Sequence, residues 1–149
     1  MTAESIFGNE ALVNWIARVA VGTVFVVNLG CAFSFIAQPE LYSSAFEIEG
    51  VQGQTVVRAF GILFLMWNAT YPPVLLRPQT QLTLFGVILI QQIIGSAGET
   101  WMWLTLPPGH PALSSTGLRF IVFDAAGLIL MGIAYLILKS AGLQKPINK

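Results

Sequence analysis

The sequence predicts an all-α integral membrane protein: one domain, residues 1–149, folded as an antiparallel bundle of four spanning helices. Three observations predict it. Four apolar stretches run Leu12–Ile36, Val56–Leu76, Leu82–Leu104 and Leu118–Leu138, against about 20 residues needed for a spanning helix. Charged residues make up 9% of the chain and hydrophobic ones 55%, whereas a soluble domain carries about 25% charged. Finally, Val19–Ile36 and Phe60–Tyr71 are apolar nearly all round, with none of the charged face that a water-exposed helix needs.

The first stretch follows Met1-Thr-Ala-Glu-Ser, which lacks the basic n-region of a signal peptide, and it is too long for an h-region. It is therefore expected to stay as helix one. The loop Ala37–Gln54 mixes Leu41, Tyr42 and Phe46 with acids, which predicts a short interfacial helix from near Pro39. Pro72 and Pro73 are expected to kink helix two or end it early, a break that a membrane tolerates when neighbours satisfy the freed carbonyls. The turn Arg77–Gln81 is tight and makes helices two and three antiparallel neighbours. In the loop Thr105–Gly117, the cluster Ser114-Ser115-Thr116 is expected to cap helix four.

Four crossings put both termini on one side, together with Arg18, Arg77, Lys139, Lys145 and Lys149. The other side has Arg58 and Arg119 beside Glu40, Glu47, Glu49 and Glu99. The positive-inside rule then places both termini in the cytoplasm, and the expected location is a cell's inner membrane. Trp101 and Trp103 belong to the outer interface and Trp15 to the inner one, where indole rings act as anchors. Trp67 falls mid-helix and packs in the bundle or faces lipid.

Several function classes are excluded. Formal charge is zero and no basic run exists, so a nucleic-acid partner has no electrostatic footprint. The single cysteine, Cys31, rules out an internal disulfide or a CxxC pair. The single histidine, His110, lies in a loop, so haem has no membrane-buried histidine ligand here. No metal site and no cofactor are expected. Asn68-Ala69-Thr70 matches a glycosylation sequon but sits inside helix two, and Glu47 and Glu49 face no second acidic cluster that would make a calcium site.

At about 100° per residue, each helix still shows one face that lipid would reject. Helix one offers Asn14, Arg18 and Asn28; helix two Arg58, Gly61 and Asn68. Helix three offers Gln91, Gln92, Gly95, Gly98 and Glu99, and helix four Asp124, Gly127 and Tyr135, with Arg119 pointing elsewhere. By depth, Arg58 and Arg119 lie near the outer boundary, with Glu99 and Asp124 roughly five or six residues below, at about 1.5 Å each. Asn68, Gln91 and Gln92 share the mid-plane.

An unpaired charge at mid-bilayer costs at least about 2.5–3.5 kcal/mol. Arg58 is therefore expected to pair with Glu99 or Asp124, and Arg119 to reach the headgroups or the outer loops. Three roles follow from this layering. The first is a pocket toward the outer leaflet, where Arg58, Asn68, Gln91, Gln92, Glu99 and Asp124 hold the head of a lipid-like or quinone-like molecule among phenylalanines. The second is an accessory or assembly subunit of a larger respiratory or photosynthetic membrane complex, or a homo-oligomer, its polar faces consumed in packing. The third is a small acid/base enzyme on a hydrophobic substrate, using the two acids. A non-catalytic role is preferred, because the acids stand on different helices and their spacing constrains nothing.

The run from Pro39 to Asn68 carries a pattern: a proline after helix one, an aromatic at Phe46, Gly50 and Gly53, then Arg58-Ala-Phe-Gly61-x-x-Phe64-Leu65. It resembles the small four-helix membrane proteins grouped as DoxX-like. Met66-Trp67-Asn68, Gly95-x-x-Gly98-Glu99 and Arg119-Phe120-x-x-Phe123-Asp124-x-x-Gly127 resemble marks of a narrower bacterial subgroup without an assigned activity. The resemblance implies the four-helix fold. Some members of that group are described as small subunits of quinone-linked oxidoreductases and others as assembly factors, and no catalytic residue is carried over.

Overall fold

The computed structural model describes the backbone of residues 3–143 and the side chains of residues 10–142. Lys145 and Lys149, which enter the charge reading, and Met1 and Thr2 lie outside the described residues. Among the described residues six α-helices follow one another: α1 (Ala3–Ala37), α2 (Pro39–Ser43), α3 (Gly50–Asn68), α4 (Tyr71–Leu76), α5 (Leu82–Leu104) and α6 (Pro111–Leu143). A 3₁₀ turn, Ser44–Phe46, links α2 to α3. Among the described residues four spans are long and apolar enough to cross a membrane: Glu10–Ala37, Gly50–Leu76 (α3 with α4), Leu82–Leu104 and Pro111–Gly142. The fold is an all-α helical bundle of a multi-pass membrane protein. The short helix after Pro39 is present as α2.

The second span is broken where the proline pair predicts. α3 stops at Asn68, a turn passes Ala69 and Thr70, and α4 restarts with Pro72 and Pro73 in its first turn. Proline fits there because the first helical N–H groups have no intrahelical partner to lose. The break changes the packing. α3 lies along α1, α4 packs on both α1 and α5, and α5 pairs along its length with α6. α3 and α5 make little or no backbone contact with each other. The bundle is closed at the end that carries the chain termini and splayed at the end that carries the two long loops.

At the closed end the interior is filled. Val13, Ala17, Val21, Tyr71, Val74, Phe85, Ile88, Met131 and Leu138 form one buried cluster. Rings lock it from two sides, with Phe25 stacked on Tyr71 at 5.9 Å and Tyr135 edge-on to Phe85 at 5.4 Å. Arg18 Nη2 donates to the carbonyl of Leu76 at 2.9 Å, a cation at the last turn of α4, where free carbonyls concentrate partial negative charge. The outward faces keep large apolar side chains exposed, Val26, Ile94 and Leu136 among them, as lipid contact requires.

At the splayed end the loops are tied by one carboxylate. α6 starts at Pro111, not after the serine cluster, so Ser114, Ser115 and Thr116 lie within its first two turns and do not cap it. The cap comes from the other loop. Glu47 Oε1 accepts from the backbone N–H of Ala112 (3.1 Å) and Leu113 (3.2 Å), and Glu47 Oε2 lies 2.6 Å from His110 Nδ1. A carboxylate at a helix N-terminus meets both unpaired donors and the positive end of the helix dipole. These contacts hold Glu47 in the left-handed conformation (φ 52°), uncommon for a residue with a side chain. They also hold its carboxyl below the usual carboxylate range, the His110 contact foremost. Thr116 Oγ1 adds a bond to the Ala45 carbonyl at 2.9 Å.

Candidate functional site

Where α3 leaves α5, the interior is hollow. A cavity of about 290 Å³ lies among α1, α3, α5 and α6, floored by Asn68, Gln92, Glu99 and Asp124 and bordered by Asn28 and Arg119. A second, of about 380 Å³, lies next to it between α3, α5 and α6, against Phe60, Phe64, Met102 and Trp103. Both share a wall of Phe35, Phe46, Phe64, Phe120, Thr116 and Glu99. Each lies within the range of small-molecule pockets, about 300–1,000 Å³, or at its edge. One chamber is polar at its base. The other is almost wholly apolar.

The shared wall is an aromatic cluster centred on Phe35, whose ring meets Tyr42, Phe46, Phe64 and Phe120 at centroid distances from 4.8 to 6.4 Å. Such offset and edge-on pairs are each worth about 0.5–1.5 kcal/mol beyond burial. They hold the cavity open by bracing its wall. Close backbone approach elsewhere depends on glycine. A Cβ at Gly61 would meet the Ala32 carbonyl at 2.7 Å, so only glycine lets α3 lie this near α1. A Cβ at Gly95 would come within 3.1 Å of Asp124 Oδ2 and 3.2 Å of the Trp67 ring, which places both groups against the α5 backbone.

The residues singled out from sequence divide into two groups. Asn68, Gln92, Glu99 and Asp124 come together on the polar chamber. Gln92 is buried and its Nε2 donates to the Asp124 carbonyl at 3.3 Å, while Asn68 Nδ2 donates to the Phe64 carbonyl at 2.7 Å. Gln91 is half-buried on the same helix but lines neither cavity, its neighbour Gln92 holding the inward position.

Arg58 corrects an expectation. It is exposed, lines neither cavity, and makes no ion pair with Glu99 or Asp124. The inward stripe of α3 is Val57, Gly61, Phe64 and Asn68, and Arg58 lies about 90° from its centre at 3.6 residues per turn. The cation that borders the chamber is Arg119, which the helical wheel turns away; it stands at the edge of the α6 face and lines the wall. Trp103 likewise does more than anchor, since its Nε1 donates to the Ser114 carbonyl at 3.1 Å and its ring closes the apolar chamber.

Six buried side-chain atoms of the described residues lack a hydrogen-bond partner: Trp67 Nε1, Asn68 Oδ1, Tyr71 OH, Gln91 Oε1, Ser96 Oγ and Glu99 Oε2. All belong to the broken second span or to α5, the two elements that diverge. A buried polar group left unpaired costs about 1–3 kcal/mol, so each calls for a reason. Among the described residues, no group of three His, Cys, Asp or Glu side chains is placed to hold a metal ion.

Comparison with protein-family models, with characterised proteins and with solved structures finds no match. The DoxX-like resemblance therefore rests on its short motifs.

Proposed function

We propose that the protein binds a lipid-like amphiphile, its polar head in the chamber of Asn68, Gln92, Glu99 and Asp124 and its tail in the adjoining aromatic chamber. One observation carries the reading: an apolar cavity and a polar cavity share a wall exactly where two spanning helices part, so a chain leaving between α3 and α5 enters lipid. A protein whose polar faces served packing alone would close this gap, as the terminal end of the same bundle does. The phenylalanine lining suits a hydrocarbon tail, and the amide and carboxyl side chains on the polar chamber, Asn68, Gln92, Glu99 and Asp124, suit a hydrogen-bonding head.

In this reading the loop end faces the outer leaflet of the inner membrane, with both termini cytoplasmic, as the cation bias favours. Cysteines placed at Ser44 and Ser140 test that orientation: only Ser44→Cys should react with a membrane-impermeant reagent added outside the cell. Native mass spectrometry of gently extracted protein tests the binding. A retained adduct of lipid mass is expected, and a bare chain under conditions that preserve the fold would contradict the proposal.

A further inference from the structure

We propose that the segment joining α5 to α6, Leu106–Leu113, is a flap over the two chambers and that Glu47 is its latch. The inference rests on the proposed pocket and adds its entrance. Two loops roof the cavities, one from each side of the gap between α3 and α5. The first brings Tyr42, Ala45 and Phe46 to the polar chamber, and the second brings Leu106 and Leu113 to the apolar one.

The two loops are held differently. The first belongs to the packed body. Phe46 sits among the rings of Phe35, Phe60 and Phe120, and Pro39 and Ser43 are buried. Ile48 lies so close to α3 that a Cβ at Gly53 would run into its carbonyl. The second loop lies open. Pro107, Pro108, Gly109, His110 and Pro111 are all exposed, and a Cβ at Gly109, where φ is 101°, would meet nothing within 4 Å. Among the described residues, the side-chain hydrogen bonds that join the loops are those of Glu47 to His110, Ala112 and Leu113, with one from Thr116 to the Ala45 carbonyl. Releasing one exposed side chain therefore frees most of the seam. Glu47 is also the described non-glycine residue with a positive φ, a conformation that persists while its partners hold it and that is common at switching segments.

An opening at this seam removes an obstacle to loading. An amphiphile in a leaflet keeps its head at the water boundary and its tail in hydrocarbon. Sideways entry between α3 and α5 would drag the head across the almost wholly apolar chamber, and a polar group stripped of water without a partner is unfavourable there. With the flap lifted, the head descends from water past Thr116 and Arg119, both on the polar lining, while the tail slips between the helices. Closing the latch then seals the head from water, as lids over binding sites do.

The test replaces the polar latch with a covalent one. In Cys31→Ala protein, Glu47→Cys and His110→Cys are joined by a short, reducible bis-methanethiosulfonate. The probes are dodecanol and dodecane, each carrying a diazirine in its chain, on the full protein in phosphatidylcholine nanodiscs. The reading is the rate at which saturable labelling of Phe60, Phe64 and Met102 reaches its plateau. Cross-linking should slow dodecanol loading at least about tenfold, and reduction should restore it. Dodecane has no head to carry, so its rate should stay the same. Glu47→Ala alone should load dodecanol faster than the unaltered chain, an arm that stands even where the cysteine pair fails to fold. Dodecanol rates unaffected by the cross-link and by Glu47→Ala would overturn the flap and leave the pocket standing. Equal slowing of dodecane would also overturn the flap, because the cross-link would then act on the whole site. Absence of saturable labelling in the unaltered protein would overturn the pocket itself, and the flap with it.

Discussion

The two ends of this bundle are built from the same four spans yet hold their interiors in different ways. At the terminal end, α4 bridges α1 and α5 and the centre is filled by Val21, Tyr71, Phe85, Ile88 and Met131. At the loop end, α3 follows α1 away from α5, and the centre is two cavities edged by phenylalanines and acids. The difference arises at one place, the turn at Ala69 and Thr70 before the prolines. A continuous helix would carry one packing direction from end to end; a broken one lets each half choose its neighbour. Tight packing here supplies stability, and the loosened half supplies room.

That contrast can be broken most forcefully by removing a ring from each end. Phe85 is fully buried in the filled half, and Phe85→Ala should cost about 3 kcal/mol or more, the usual loss for a large core truncation. Phe120→Ala, whose ring borders existing cavities, should cost clearly less. Equal losses in detergent or bicelle unfolding would show that the two halves are packed alike.

A middle-sized effect concerns the cations. Arg119 lines the polar chamber and Arg58 does not. Arg119→Gln should change retention of the bound amphiphile by about three- to tenfold, the scale of altering one charge beside a binding site. Arg58→Gln should leave it unchanged. Titration of the bound fraction in nanodiscs reads both.

Joining the halves is subtler. Replacing Pro72 and Pro73 together by alanine restores helix propensity across the break and should draw α3 toward α5. Spin labels at Ile62 and Ile93, both exposed on those helices, should then report a shorter distance, and amphiphile retention should fall. An unchanged distance would locate the cause of the splay in the aromatic wall instead.

The smallest effect lies at the loops. Glu47 has a lowered pKa in the fold, so its contribution is complete above the pKa of an unfolded glutamate, about 4.3, and fades as pH falls through the lower, folded value. Glu47→Gln should remove that acid-side loss and speed hydrogen exchange at the Ala112 and Leu113 amides at neutral pH. Exchange unchanged at both amides would mean that the cap contributes nothing to holding α6.

Much of the architecture was legible from residues alone, because spanning length and low charge are local properties: the four spans, the break near Pro72 and the short helix after Pro39 all follow from runs of neighbouring side chains. What escaped was non-local. The serine cluster looked like a cap because it stands in the right kind of sequence, while the actual cap, Glu47, comes from 65 residues away in the chain. The pairing expected of Arg58 fails because a helical wheel read alone does not fix the centre of the inward stripe of α3, and Arg58 lies beside that stripe and not on it. Gln91 and Gln92 could not be separated without knowing which way α5 is rotated. The parting of α3 from α5 depends on how three helices share α1 and α6, and no single stretch of sequence records it.

The most direct measurement compares one glycine from each half by native mass spectrometry. Gly95 is the site where any side chain meets Asp124 and Trp67, whereas a Cβ at Gly132, in the terminal half of α6, meets nothing within 4 Å. In Gly95→Leu protein, the adduct carried by the unaltered chain should disappear, and in Gly132→Leu protein it should persist. Persistence in both variants, or loss in both, would contradict the claim that the splayed end is the binding site.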